Sequence, residues 1–358
     1  MDSTAAIGKR IREAREYSGM PAKELADKIS NKYKRLSKQA ISQYENGYVM
    51  PPPHRLIELA EFLQVPVNYF TKNWGNVDQH TPSQFRKIAT ATKRHRDHAE
   101  LRADWFVRFC HVLNQIEPLP NNDLPKWNID FHSLDREQIE ERAMELRKLW
   151  GLGNAPIENL NEVLEQHGII IAEFTIDESL EAFSFWSNES PYIFMSNNAK
   201  NYFRSRLNVA HELGHLVLHR YIEPELILNQ EAHKRLEKQA FDFGAAFLTP
   251  AISFGSEIMK FDLNYWLALK KRWGMSIAAM MMRAHALGKI TDTQIAYYFR
   301  INGKLKVEPE DKYKPQERPM LLRKHLKNLV AEKRITLSAV LDELGLSEPM
   351  LKEVIDLQ

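Results

Sequence analysis

The stretch Val209-Ala210-His211-Glu212-Leu213-Gly214-His215-Leu216-Val217-Leu218-His219 decides how the rest of this 358-residue chain is read. Small and apolar residues surround the histidines and no proline interrupts the run, so a helix is predicted from about Asn201 to His219. On a helix His211 and His215 stand about 6 Å apart along the axis and on nearly one face. Both imidazoles then reach one ion, and Glu212 projects beside it as the expected catalytic base. A divalent ion lowers the pKa of its water to about 7, and an adjacent carboxylate takes the proton as that water attacks a carbonyl. His219 continues the spacing but lies about 12 Å from His211, outside the same coordination sphere. The competing reading is a pair of exposed histidines flanking a solvated glutamate.

A hydrolytic site needs a third protein ligand and an open fourth position. The next long helical pattern, from about Ala232 to Leu248 and closed by Pro250, offers Glu237 and Asp242. Helical steps from Glu237 reach Ala240, Phe241, Gly244, Ala245 and Leu248, whereas those from Asp242 lead back to Lys238 and Gln239. Burying an unpaired carboxylate is costly, so one on a core-facing stripe needs a cation. Glu237 is the expected ligand; the alternative is a first-turn glutamate favoured by the helix dipole. Two histidines and one carboxylate suit Zn2+, with Mn2+ and other first-row ions left open. Tyr192, Tyr202, Arg204, Arg206 and His233 remain unassigned candidates for stabilising an oxyanion.

Upstream, residues 6–70 read as four or five short helices. Ile7, Ile11 and Ala14 recur at helical spacing, and Pro21 opens a second helix. Beyond the basic run Asn31 to Leu36, Ser37 is a good N-cap and Gly47 a good stop for the helix between them. Ile41 and Tyr44 are expected inside, leaving Ser37, Lys38, Gln39, Ser42 and Gln43 outward. Gln bonds adenine bidentately and Lys reaches guanine or phosphate, so the residue types on this outward face suit contact with DNA. A helical protein-binding module without DNA contacts is the alternative.

Bulk composition bounds these readings without deciding them. Hydrophobic residues at 44% and charged residues at 27% are ordinary for a globular protein, and the net charge of +2 by itself implies no nucleic-acid partner. Residues 1–70 hold eleven Lys/Arg against eight Asp/Glu, an excess that a solvated helix face also explains. The single cysteine, Cys110, excludes an intrachain disulfide and is expected to be a buried thiol. No leader-like segment and no long apolar run is present, so a cytoplasmic protein without membrane contact is expected. Short β-type runs occupy 168–174, 182–186 and 191–196, and a further helix pair spans roughly Leu263 to Leu287. The expected fold is multidomain: an all-α N-terminal domain, then an α+β domain with a small antiparallel sheet and a helical C-terminal region. The expected bounds are 1–72, a helical connector at 73–150, the metal-site domain at 151–300 and the tail at 301–358.

Arg204 to His219 and Glu237 to Pro250 together resemble the ImmA/IrrE-like metallopeptidase family. The second stretch is similar to a family pattern with a Glu two residues ahead of Glu-Ala-Asn and a closing Leu-x-Pro. Here Gln239 stands where Glu is common, Phe241 where Asn or Asp is usual, and Gly244 where Ala is common. The resemblance implies a zinc-type metallo-endopeptidase with His211, His215 and Glu237 as ligands and Glu212 as base. Residues 7–70 resemble the Xre, lambda-repressor-like helix-turn-helix family through Ile7-Gly8, Ala14-Arg15, Leu25-Ala26, Ile41-Ser42-x-Tyr44-Glu45-x-Gly47 and Leu59-Ala60. The two resemblances imply an all-α helix-turn-helix domain fused to an α+β zincin-like domain. In such a helix-turn-helix the second helix of the motif enters the major groove, which makes Ser37, Lys38, Gln39, Ser42 and Gln43 the expected DNA readers. The fusion implies a transcriptional regulator that binds a double-stranded DNA operator, can act as a homodimer, and cleaves a helix-turn-helix repressor or itself in a stress, phage or mobile-element response. The alternative is a DNA-binding repressor or antitoxin whose peptidase-like domain is a sensor or dimerisation body with little turnover.

Overall fold

In chain order the helices are α1 Ser3–Tyr17, α2 Ala22–Lys32, α3 Lys38–Glu45, α4 Pro53–Leu63, α5 Asn68–Thr71, α6 Lys93–Ile116, α7 Arg136–Leu149 and α8 Leu160–Gln166. Strands β1 Ile170–Phe174, β2 Ala182–Ser187 and β3 Ser190–Ser196 follow. Then come α9 Tyr202–Leu218, α10 Gln230–Leu248, α11 Ala251–Ser256, α12 Leu263–Trp273, α13 Ile277–Ala286, α14 Asp292–Asn302, α15 Leu321–Ala331, α16 Leu337–Leu344 and α17 Glu348–Lys352. The structure, a computed structural model, describes residues 3–72, 93–174, 181–196, 201–223, 226, 229–302 and 317–355. Parts of the expected connector (73–92) and tail (303–316) lie outside the described residues. No described helix is long and apolar enough to cross a membrane.

Two compact units emerge. The first unites residues 1–79, 88–119 and 322–358; the second comprises 80–87 and 120–321. In the first, Ile11, Ala14, Leu25, Ile29, Ile41, Leu59 and Leu63 close the core of α1–α4. Gly8 lets α1 approach α3, since a Cβ there would clash with the Tyr44 carbonyl. The Arg15 guanidinium donates to both Glu45 oxygens at 2.5 and 3.0 Å, tying the same two helices. Helix α6 is buried along Trp105, Phe106, Phe109 and Leu113, and Cys110 is buried beside them, which pushes its thiol pKa well up. The C-terminal helices belong to this unit. Glu353 accepts from Tyr17 Oη at 2.5 Å and from Arg102 Nη2 at 2.6 Å, so the C-cap of α17 is bound to α1 and α6.

The second unit holds the sheet, with order β1-β3-β2. Strands β2 and β3 form the expected antiparallel hairpin, turning through Asn188 and Glu189, which both have positive φ. The expectation of a purely antiparallel sheet is corrected: β1 runs parallel to β3, with Ile170 opposite Tyr192 and Phe174 opposite Ser196. The reason lies in β3, whose side chains are buried almost throughout, the pattern of a central strand. It therefore takes a partner on both edges, and the alternation of β1 alone does not say which neighbour it joins.

Helix α9 packs against β2 and β3, α10 packs against α9, and α7 packs against α10. Both site helices start on asparagine caps: Asn201 accepts from the amides of Phe203 and Arg204, and Asn229 from those of Glu231 and Ala232. Thr249 and Pro250 end α10, because proline offers no amide to continue the ladder. The core runs through Val209, Leu213, Leu216, Phe243, Phe247, Trp266 and Met280. Arg147 is enclosed within it, donating to the carbonyls of Gly153 at 2.8 Å, Phe247 at 2.5 Å and Ala155 at 2.5 Å. Burial lowers its pKa to about 10.

Candidate metal centre

Two glycines set the approach of α9 to α10. A Cβ on Gly214 would lie 2.9 Å from the Ala240 carbonyl oxygen, and one on Gly244 would lie 2.8 Å from the His211 nitrogen. Each contact is to the backbone of the opposite helix, so the two backbones touch where any other residue would hold them apart. At that crossing His211 and His215 of α9 turn toward Glu237 of α10.

The three side chains converge as the sequence reading anticipated. His211 Nε2 lies 3.1 Å from His215 Nε2 and 3.2 Å from Glu237 Oε2, and His215 Nε2 lies 3.4 Å from Glu237 Oε1. Tetrahedral bonds of about 2.0–2.1 Å to nitrogen and oxygen place neighbouring donor atoms about 3.3–3.4 Å apart. The observed separations, 3.1, 3.2 and 3.4 Å, come within about 0.3 Å of that. His211, His215 and Glu237 form a group able to hold a metal ion, and among the described residues no other such group occurs. The donor set, two largely buried imidazoles and one partly exposed carboxylate, fits a divalent ion of the zinc type. Asp242, the alternative carboxylate, lies instead near Arg136 at 3.8 Å and Lys238 at 3.7 Å.

Glu212 is only 2% exposed. Its Oε2 accepts from Ser184 Oγ at 2.7 Å, a contact from β2 onto the helix that carries the ligands. Ser184 is a buried polar residue between Phe183 and Phe185, and strand alternation turns it to the opposite face from those rings. Sequence reasoning missed Ser184; a hydroxyl inside an apolar strand was its only signal. Of the unassigned candidates, Tyr202 and Arg206 lie in a separate cluster, where Tyr202 Oη donates to Glu317 Oε1 at 2.9 Å and Arg206 Nη1 donates to Tyr202 Oη at 2.7 Å. Burial raises the Tyr202 pKa to about 12. Arg204 pairs with Glu181, and Tyr192 is buried among stacked rings of the sheet.

In the first unit, Ser37, Lys38, Gln39, Ser42 and Gln43 are all exposed on α3 or its cap, while Ile41 and Tyr44 are buried. Ser37 caps the helix by accepting from the Ala40 amide, and Ser42 receives the Asn46 side-chain amide on its carbonyl at 2.7 Å. The basic loop before α3 is held from below: buried Arg55 donates to the carbonyls of Lys34 at 3.0 Å and Arg35 at 3.1 Å. Lys32 pairs with Glu61, which also accepts from Tyr33 Oη at 2.5 Å. Lys34, Arg35 and Lys38 form the exposed positive rim of this face.

Family comparison identifies a domain type in each half of the chain. Residues 11–70 match the model described as a helix-turn-helix, and residues 164–285 match the one described as an IrrE N-terminal-like domain, a peptidase family. No curated protein matches the chain. The chain therefore carries an Xre-like helix-turn-helix, a domain type that supports DNA binding, followed by a metallopeptidase-type domain of the IrrE/ImmA kind.

Proposed function

We propose that this chain is a cytoplasmic transcriptional regulator that reads a double-stranded operator through α3 and cuts protein through its metal centre. The substrate proposed is a helix-turn-helix repressor, or the chain itself, in a stress, phage or mobile-element response. One observation carries the enzymatic half: the Nε2 atoms of His211 and His215 lie 3.1 Å apart and each lies within 3.4 Å of a Glu237 oxygen, close to the spacing of ligands on one ion, with Glu212 on the same helix as the histidines.

In this reading His211, His215 and Glu237 hold one divalent ion, zinc first and manganese second. The ion, when bound, acidifies water and polarises the scissile carbonyl. Glu212 accepts the proton of the attacking water and passes it to the leaving amine. Ser184 fixes the Glu212 carboxylate by holding Oε2. On the DNA side, Lys38, Gln39 and Gln43 face base edges while Ser37, Ser42, Lys34 and Arg35 approach the backbone. A homodimer would place two such helices on paired half-sites.

The test is mass-spectrometric detection of cleavage after incubating zinc- or manganese-loaded protein alone and with a co-expressed helix-turn-helix repressor. Wild type should generate defined fragments, and Glu212→Gln should retain the ion and generate none. Fragments at the wild-type rate from that variant would remove the mechanism.

A further inference from the structure

A histidine ligand needs its lone pair aimed at the ion and its other ring nitrogen engaged as a donor. His215 meets the first need through Nε2, which faces Glu237 and His211. Its Nδ1 lies 2.8 Å from Nδ1 of His219, at the C-cap of the same helix. His219 Nε2 lies 3.2 Å from Gln239 Oε1. Gln239 Nε2 in turn donates to the carbonyls of Phe131 at 2.8 Å and Leu134 at 3.2 Å, in the segment ahead of α7.

The direction of every proton follows from the far end of this chain. Backbone carbonyls only accept, so the Gln239 amide turns its NH2 toward Phe131 and Leu134 and its Oε1 toward His219. An amide oxygen also only accepts, so His219 carries its proton on Nε2. The neutral ring then presents a bare Nδ1, and His215 supplies the proton between the two Nδ1 atoms. That leaves the lone pair of His215 on Nε2, where the other two donors converge. His219 and Gln239 are 9% and 4% exposed, so bulk water has little access to either link.

We propose that Gln239 and His219 are positioning residues that lock His215 in its Nδ1–H tautomer, so that two backbone carbonyls ahead of α7 orient a metal ligand. A carboxylate at 239 would also accept from His219, but it has no proton to give the Phe131 and Leu134 carbonyls. The amide serves both neighbours. This inference rests on the metal-centre reading only for what the aimed lone pair is used for; the proton order belongs to the protein without metal.

Two measurements on the full chain test it. In chelator-treated protein with 15N-labelled imidazoles, long-range proton–nitrogen correlation spectra should show His215 as Nδ1–H and His219 as Nε2–H. His215 found as the Nε2–H tautomer overturns the proposal. In zinc competition against a chromogenic chelator, His219→Leu and Gln239→Leu should each weaken zinc binding about 10–100-fold. His219→Gln should stay close to wild type, because its single amide offers an acceptor to His215 and a donor to Gln239. Leu variants that bind zinc as tightly as wild type also overturn the proposal. Should the Leu variants fail to fold, the wild-type tautomers decide it. Wild-type protein that bound no zinc would sink the metal reading by itself, while the tautomer spectra still judged the relay.

Discussion

Replacing Gly214 by alanine tests whether the helix crossing, rather than the histidine motif alone, makes the metal centre. The new Cβ would lie 2.9 Å from the Ala240 oxygen and 3.1 Å from the Ala240 Cα, both backbone atoms of α10. No side-chain rotation relieves these contacts, so α9 and α10 must part by about 0.5 Å to restore an ordinary separation. Such overpacking costs about 1–3 kcal/mol. Alanine in a helix interior recovers about 1 kcal/mol relative to glycine. The two effects oppose each other, so the stability of metal-free protein moves little and decides nothing. The donor triangle is more sensitive. Glu237 sits one turn ahead of Ala240 and moves with α10, whereas His211 and His215 stay with α9. Widening the 3.2 and 3.4 Å separations by about half an ångström takes them past tetrahedral dimensions. Zinc affinity should fall at least tenfold, about 1.4 kcal/mol. The assay is chelator competition, joined to the difference in melting temperature between zinc-loaded and chelated protein. Affinity within twofold of wild type, with an unchanged zinc-induced rise in melting temperature, would refute the reasoning.

Three further outcomes follow from the same geometry. Ser184→Ala removes the hydrogen bond that holds Glu212, at a cost of about 1–3 kcal/mol of stability for the buried partner left behind; peptidase turnover should drop while zinc affinity stays put, and a loss of affinity instead would show that the contact acts on the ligands. Saturating zinc at about 100 times its Kd should stabilise the second unit by about 2.7 kcal/mol; calorimetry that shows no metal-dependent shift of any transition would contradict the site. On the DNA face, Lys34→Ala should weaken DNA binding evenly across sequences and flatten the salt slope by about one, while Gln39→Ala should cost about 1–3 kcal/mol and relax preference at one position. Mobility shifts across a salt series separate these patterns from a face that makes no DNA contact.

The sequence carried the elements of the site further than it carried their surroundings. Helical spacing placed His211 and His215 together, and a carboxylate on an apolar stripe pointed to Glu237; the structure brings all three within reach of one another. The helix pair α12–α13 and the two site helices also follow from periodicity and their asparagine, proline and glycine ends. Long-range partners left weaker traces. Ser184 reaches Glu212 across 28 residues of sequence, and strand alternation alone shows a face, not the neighbour on it. The parallel pairing of β1 was invisible for the same reason. The C-terminal helices read only as charged and helical, yet Glu353 of their last turn is bound to Tyr17 and Arg102. Amphipathic periodicity says that a face is buried and is silent about what buries it.

Those long-range partners are what turn a motif into a centre. A His-Glu-x-x-His run on an isolated helix would leave its imidazoles in several rotamers and tautomers and its glutamate in water. Here each freedom is removed by a different part of the second unit. Glycines 214 and 244 bring α10 close enough for Glu237 to face both histidines. Strand β2 supplies the hydroxyl on Glu212, and the segment ahead of α7 supplies the carbonyls behind Gln239. Glycine at position 244 then has a physical meaning. At this spacing a methyl group would press on the backbone at His211 itself, so the identity of residue 244 and the closeness of the crossing are one fact. Preorganisation of this kind is set before any ion arrives, because the groups that impose it are backbone atoms and buried hydrogen bonds.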